Sequence, residues 1–167
     1  MTQSVDDDVD ASLLDLQNQL RCMVLAERIT RGMRSEIGSK GWTIIAELDD
    51  SDAFGSRFYT AGLLENLGHP ELMMRGEPNE VRCRAFATLV TFIRWGLPLP
   101  VGEPVVQIFE GPVVMTKMAA ELAKEMAFAS YANADVRRIP FELVEVTFPN
   151  GGERLRASVL LAHEKLI

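Results

Sequence analysis

The sequence predicts an α+β domain: an antiparallel or mixed sheet with two or three helices packed on one face. Two observations carry that expectation. Apolar residues recur at helical spacing in three stretches, 10–37, 78–95 and 116–133. Around them lie short β-rich runs whose turn residues favour antiparallel pairing over regular βαβ crossovers.

The first helical stretch rests on Leu13, Leu16, Leu20 and Val24, then drifts through Met23, Leu25 and Ile29 until Gly38 ends it. The period then falls to two. Trp42, Ile44, Ala46 and Leu48 share one face of a strand, with Ile45 on the other. A polar turn at 49–55 leads to a second strand, 57–63. A loop through Asn66 and Gly68 leads to a third, 69–74, so the three form an antiparallel meander. Pro78 and Asn79 start a helix whose stripe is Ala85, Phe86, Leu89, Val90, Phe92 and Ile93, and Gly96 with Pro98 stops it. Strands follow at 105–109 and 113–115. Thr116 is placed to cap a helix with Met118, Leu122, Met126 and Ala129 inward. Runs 141–148 and 155–161 flank Asn150-Gly-Gly152 and predict a hairpin.

At 167 residues one domain is expected: an acidic, disordered tail at 1–10, then a single domain over 11–167 with a helical extension reaching about 37. No apolar run approaches the roughly 18–20 residues of a membrane span, and no leader pattern opens the chain, so no membrane partner and a cytoplasmic location are expected. Asp6, Asp7, Asp8, Asp10 and Asp15 precede the first base, Arg21; setting them aside from the net charge of −7 leaves −2 for the rest. An acidic chain with no basic stripe of interleaved aromatics repels a phosphate backbone, so no nucleic acid is expected as partner.

The motifs of P-loop, dinucleotide-binding and nucleophile-elbow sites are absent. His69 and His163 are the only histidines, too few for a three-histidine zinc site, and neither metal nor cofactor is expected. Cys22 and Cys83 form no paired motif and read as core thiols on helices.

One constellation stands out. If His69 and Glu71 lie in one strand they point the same way, and a carboxylate beside an imidazole orients it as a general base. Tyr59, on the preceding strand, would act as acid or hydrogen-bond donor. Arg75 and Gly62 would bind ligand, the glycine by admitting a bulge or a close backbone approach. The competing structural reading makes His69-Pro70-Glu71 a rigid turn, Glu71 an ion-pair partner, and Gly62 a relief of packing against a helix.

Gly41-Trp-Thr-Ile, Phe58-Tyr-Thr-Ala-Gly-Leu63 and Gly68-His-Pro-Glu-Leu72, in that order, closely resemble a bacterial family catalogued as domain of unknown function 4262. Its members read G-W-x-V, F-x-Y-T-V-G-L and H-P-E-L. The stretch from Glu142 to Gly151 is similar to the family's late strand, so the resemblance spans roughly 40–152. Ala61 stands in place of the usual valine and Arg57 in place of the phenylalanine that opens the second motif. The family's N-terminal cysteine pair and its Phe-Pro-Trp ending are missing. The resemblance implies a fold grouping and no activity.

The leading functional expectation is a small binding or regulatory module, with a small molecule or a protein as partner and self-association through its own surfaces. The alternatives are a metal-independent hydrolase or lyase acting on a small polar substrate through His69 and Glu71, and a component of a bacterial conflict or immunity system.

Overall fold

The computed structural model describes residues 28, 30–48, 55–76, 78–97, 99–106, 108–150, 154 and 156. The expected tail at 1–10, the start of the first helix, Cys22 and His163 lie outside them. Among the described residues are five strands and five helices, an α+β fold. In chain order they are α1 (described over 30–40), β1 (Thr43–Glu47), β2 (Arg57–Ala61), α2 (Leu63–Leu67), β3 (Glu71–Arg75), α3 (Glu80–Arg94), β4 (Val114–Lys117), α4 (Ala120–Met126), α5 (Phe128–Val136) and β5 (Leu143–Thr147). The sheet order is β1-β2-β3-β5-β4. The meander is as expected, with β1 antiparallel to β2 and β2 antiparallel to β3. The sheet is mixed because β5 enters parallel to β3 (Leu72 beside Val144) and antiparallel to β4 (Met115 beside Val146).

Strand alternation sends two apolar sets to opposite faces. Phe58, Leu72, Met74, Met115, Val144 and Val146 meet Ala85, Phe86, Leu89 and Val90 of α3. The rings of Phe58 and Phe86 lie 5.0 Å apart at 43°, a tilted pair that adds to area burial. Asn79 caps α3, its side chain accepting from the Arg82 amide at 3.0 Å, and this helix begins and ends as the sequence predicts. On the other face Tyr59, Met73 and Leu143 pack on Ala123, Met126 and Ala127, while Ala61 packs on Met33 and Ile37 of α1. Helices α1, α4 and α5 thus share one face, whereas α3, one of the three helices expected from the sequence, packs on the other.

Several local expectations are revised. Residues 63–67 form a helical turn instead of strand end and loop, because glycines in the left-handed region bracket it: Gly62 at φ 100° and Gly68 at φ 65°. Thr116 lies in β4, opposite Glu145, and is not a helix cap. The helix after it breaks at Ala127 (φ −134°, ψ 53°), and the inner face of its first part is carried by Ala123 and Met126, with Leu122 38% exposed. The second run of the hairpin expected around Asn150, 155–161, lies outside the described residues except for Arg156. The Glu110 amide donates to the Arg154 carbonyl at 2.8 Å and the Arg156 amide to the Ile108 carbonyl at 3.1 Å. Cys83 is a half-buried free thiol rather than a core one.

Phe86 is fully buried against β2. Phe86→Ala is expected to cost about 3–5 kcal/mol in denaturant unfolding, from lost transfer energy and the cavity left behind; a cost within about 1 kcal/mol, the range of a mild substitution, would contradict this packing.

Candidate functional site

The three motif segments meet where β2 ends, α2 begins and β3 starts, and Glu71 is at the junction. Its carboxylate is 3% exposed and accepts from the Thr60 hydroxyl at 2.7 Å, the Gly62 amide at 2.9 Å and the Leu64 amide at 3.2 Å. The Thr60 hydroxyl also accepts from the Leu72 amide at 2.8 Å. A short helix leaves its first N–H groups without carbonyl partners, and α2 has no cap from its own N-cap residue, Gly62. Glu71 supplies that cap from a neighbouring strand. Burial pushes its carboxyl above the usual carboxylate range, opposed by the Thr60 hydroxyl and the donating amides.

Gly62 is required at this junction on two counts. Its φ of 100° disfavours side chains, and a Cβ there would lie 2.9 Å from the Gly41 carbonyl oxygen and 3.0 Å from Ile37 of α1. The close approach expected at Gly62 is therefore with the chain's own first helix. Asn66 reinforces the contact, its amide donating to the Gly41 carbonyl at 2.9 Å and the Gly62 carbonyl at 3.1 Å.

Tyr59 is fully buried one pleat away. Its hydroxyl donates to Glu47 and accepts from the Ala129 amide at 3.3 Å. Glu47 also pairs with Arg57, directly opposite it in the β1–β2 register. The Arg57 Nε donates to the Met126 carbonyl at 2.7 Å. Breaking the helix at Ala127 deprives Met126 and Ala129 of regular i→i+4 partners, and the sheet's polar trio replaces them. Burial, then the hydrogen bond to Glu47, raises the Tyr59 pKa far above that of an ordinary phenol, which holds its proton in place.

His69 and Pro70 precede β3, which starts only at Glu71. The premise that His69 and Glu71 alternate within one strand therefore fails, and the structure does not bring them together. Half-buried His69 bonds the Pro70 carbonyl through Nδ1 at 2.7 Å. That contact makes Nδ1 the protonated nitrogen and leaves Nε2 with a lone pair. Burial lowers the His69 pKa, opposed by the same carbonyl, so the ring stays neutral near neutral pH. Arg75, exposed at the far end of β3, pairs with Glu145 at 2.6 Å. Tyr59, Glu71, His69 and Arg75 thus occupy four environments rather than one polar cluster.

Sequence reasoning missed Glu47, Arg57 and Thr60. The signal for the first two was present: an acid and a base on either side of the turn that joins two strands, where antiparallel register sets them side by side. Among the described residues no group of three or more His, Cys, Asp or Glu side chains could hold a metal ion, and no helix is long and apolar enough to cross a membrane.

Replacing Glu71 separates capping from charge. Glu71→Ala leaves buried donors unpaired and should cost about 1–3 kcal/mol or more, whereas Glu71→Gln retains an acceptor for the amides. Because burial raises the folded-state pKa, the unfolded chain releases this proton first. The contribution of Glu71 to stability is then fully present below the usual carboxylate range and is lost as pH rises above it. Unfolding titrations from pH 4 to 7 should show wild type losing ground to Glu71→Gln as pH rises; an identical pH slope in the two proteins would contradict the raised pKa.

No curated protein and no solved structure matches the chain. A family model, described as domain of unknown function (DUF4262), matches residues 36–155, the span from the end of α1 through β5 to the backbone pairing with 108–110. The match takes in most of the chain and every motif residue placed above, and the chain belongs to the DUF4262 family.

Proposed function

We propose that this domain is a bacterial cytoplasmic binding or regulatory module rather than an acid–base catalyst. The observation that supports this reading is the bonding of Glu71: its carboxylate is spent on the Thr60 hydroxyl and on amides of α2. An imidazole general base is oriented and charge-stabilised by a nearby carboxylate. His69 has a carbonyl instead. A neutral imidazole with one fixed N–H and one open lone pair is a hydrogen-bond acceptor of defined direction, suited to holding a ligand's N–H or O–H. Tyr59 serves neither role, since its hydroxyl is held on both sides within the core. The hydrolase or lyase alternative would have to draw its acid and base from elsewhere in the chain, and no observation favours a conflict-system role.

The experiment is mass spectrometry of small molecules and proteins that co-purify with the native chain, repeated with His69→Gln. That substitution keeps hydrogen-bonding capacity, so stability should stay within about 0.5 kcal/mol of wild type while the co-purifying species is lost. Full retention of that species by a stable His69→Gln protein would remove His69 from the binding surface. Turnover of a small polar substrate by wild type would overturn the module reading.

A further inference from the structure

A sheet edge presents a row of unpaired N–H and C=O groups, and folds ordinarily shield it. The two edges of this sheet differ in that respect. The outer side of β4 and its approach are covered: Val105 and Val113 exchange backbone hydrogen bonds at 2.8 and 3.0 Å, and the Gly102 amide donates to the Met115 carbonyl at 2.7 Å. At the other edge β1 pairs with β2, and among the described residues no backbone group bonds its outer side. Nor does β1 carry the usual guards. Thr43-Ile-Ile-Ala-Glu47 holds no proline, lysine or arginine, and its residues match β2 one for one without a bulge. Its single charge, Glu47, is drawn to Arg57 and Tyr59. Ala46 is exposed, and Leu48, just past the strand, is 63% exposed.

Such an edge is complementary to a copy of itself. Strand addition satisfies the outward backbone groups. A twofold axis at Ile45 pairs all five residues of β1, antiparallel, with all five of a second β1, the self-complementary arrangement of an isologous dimer. In that register Ile45 meets the partner's Ile45, Ile44 the partner's Ala46, and Glu47 the partner's Thr43, so no two like charges stand opposed. Leu48 falls opposite the partner's Trp42. By alternation Trp42, Ile44, Ala46 and Leu48 share one side of the strand, where Trp42 and Ile44 already pack on the α3 core. The leucine that its own fold leaves exposed thereby gains an aromatic neighbour, twice over by symmetry. We propose that two copies of this chain associate antiparallel through β1, joining two five-stranded sheets into one. The inference goes beyond the binding-module reading and uses none of the His69 surface.

The test is sedimentation equilibrium of the full chain, beside amide hydrogen exchange over 43–48 at low and high protein concentration. Wild type should dimerise as concentration rises, and exchange over β1 should slow in step; this measurement needs no variant. A protein carrying Ala46→Lys and Leu48→Lys, both at exposed positions, sets a charge against the partner's Ile44 and the partner's Trp42. Its dissociation constant should be about tenfold or more higher than that of wild type. Val106→Lys, at an exposed position beside the covered edge, should leave the dimer unchanged. Circular dichroism melts matching monomeric wild type would establish that the variants fold. A wild type monomeric at every concentration, a dimer whose β1 amides exchange as fast as the monomer's, a dimer indifferent to the paired lysines, or one broken by Val106→Lys would each overturn the proposal. A monomeric wild type that still retains its co-purifying species through His69 would overturn the strand pairing alone and leave the module reading intact.

Discussion

The Glu71 carboxylate is the constraint from which the arrangement of the motif region follows. It sits where β2, α2 and β3 meet and accepts from the Thr60 hydroxyl and from amides of Gly62 and Leu64. Without an acceptor there, a five-residue helix between two left-handed glycines would begin with unsatisfied donors in a buried place. Such short helices have little stability of their own, since nucleation is costly and few bonds follow it. With Glu71 in place α2 becomes a rigid spacer. It sets the register of β2 against β3 and presents Gly62 to the end of α1 at a distance that admits no side chain.

A second polar device acts on the same sheet face. Glu47, Arg57 and Tyr59 are buried or partly buried, and each would be costly there alone. Together they satisfy one another and the backbone groups that the break between α4 and α5 exposes. Breaking such a network by removing one member is far more disruptive than its net contribution suggests, because the remaining partner stays buried with its charge uncompensated. Arg57 is also where this chain departs from the pattern that its second motif resembles, which opens with phenylalanine. The departure is chemically complete: a buried guanidinium has gained a carboxylate, the Met126 carbonyl and the Gly55 carbonyl as acceptors.

What was legible in the sequence was periodicity. The meander, α3 with its asparagine cap, and the burial of Phe86 and Leu89 all followed from apolar spacing and stop signals, which are local. The misreadings arose where a non-local partner decided the outcome. Leu48 alternates correctly with Trp42 and Ile44, yet it is 63% exposed because it lies past the end of β1, beyond the reach of α3. The helix expected from Thr116 begins later and breaks at Ala127, and the Arg57 and Tyr59 bonds that accommodate the break come from a strand some 70 residues earlier.

The candidate site was legible as a set of residues and illegible as a set of roles. Tyr59, Gly62 and Glu71 stood out because their residue types are unusual for a small sheet, and each does have a demanding task. That task is architectural: a helix-break clamp, a side-chain-free contact and a carboxylate cap. Residue type alone cannot distinguish a carboxylate that orients an imidazole from one that caps a helix, since both need the same acceptor. The deciding variable was one strand boundary. Starting β3 at Glu71 rather than His69 turns two side chains on one face into a capped junction and a separate, half-buried imidazole.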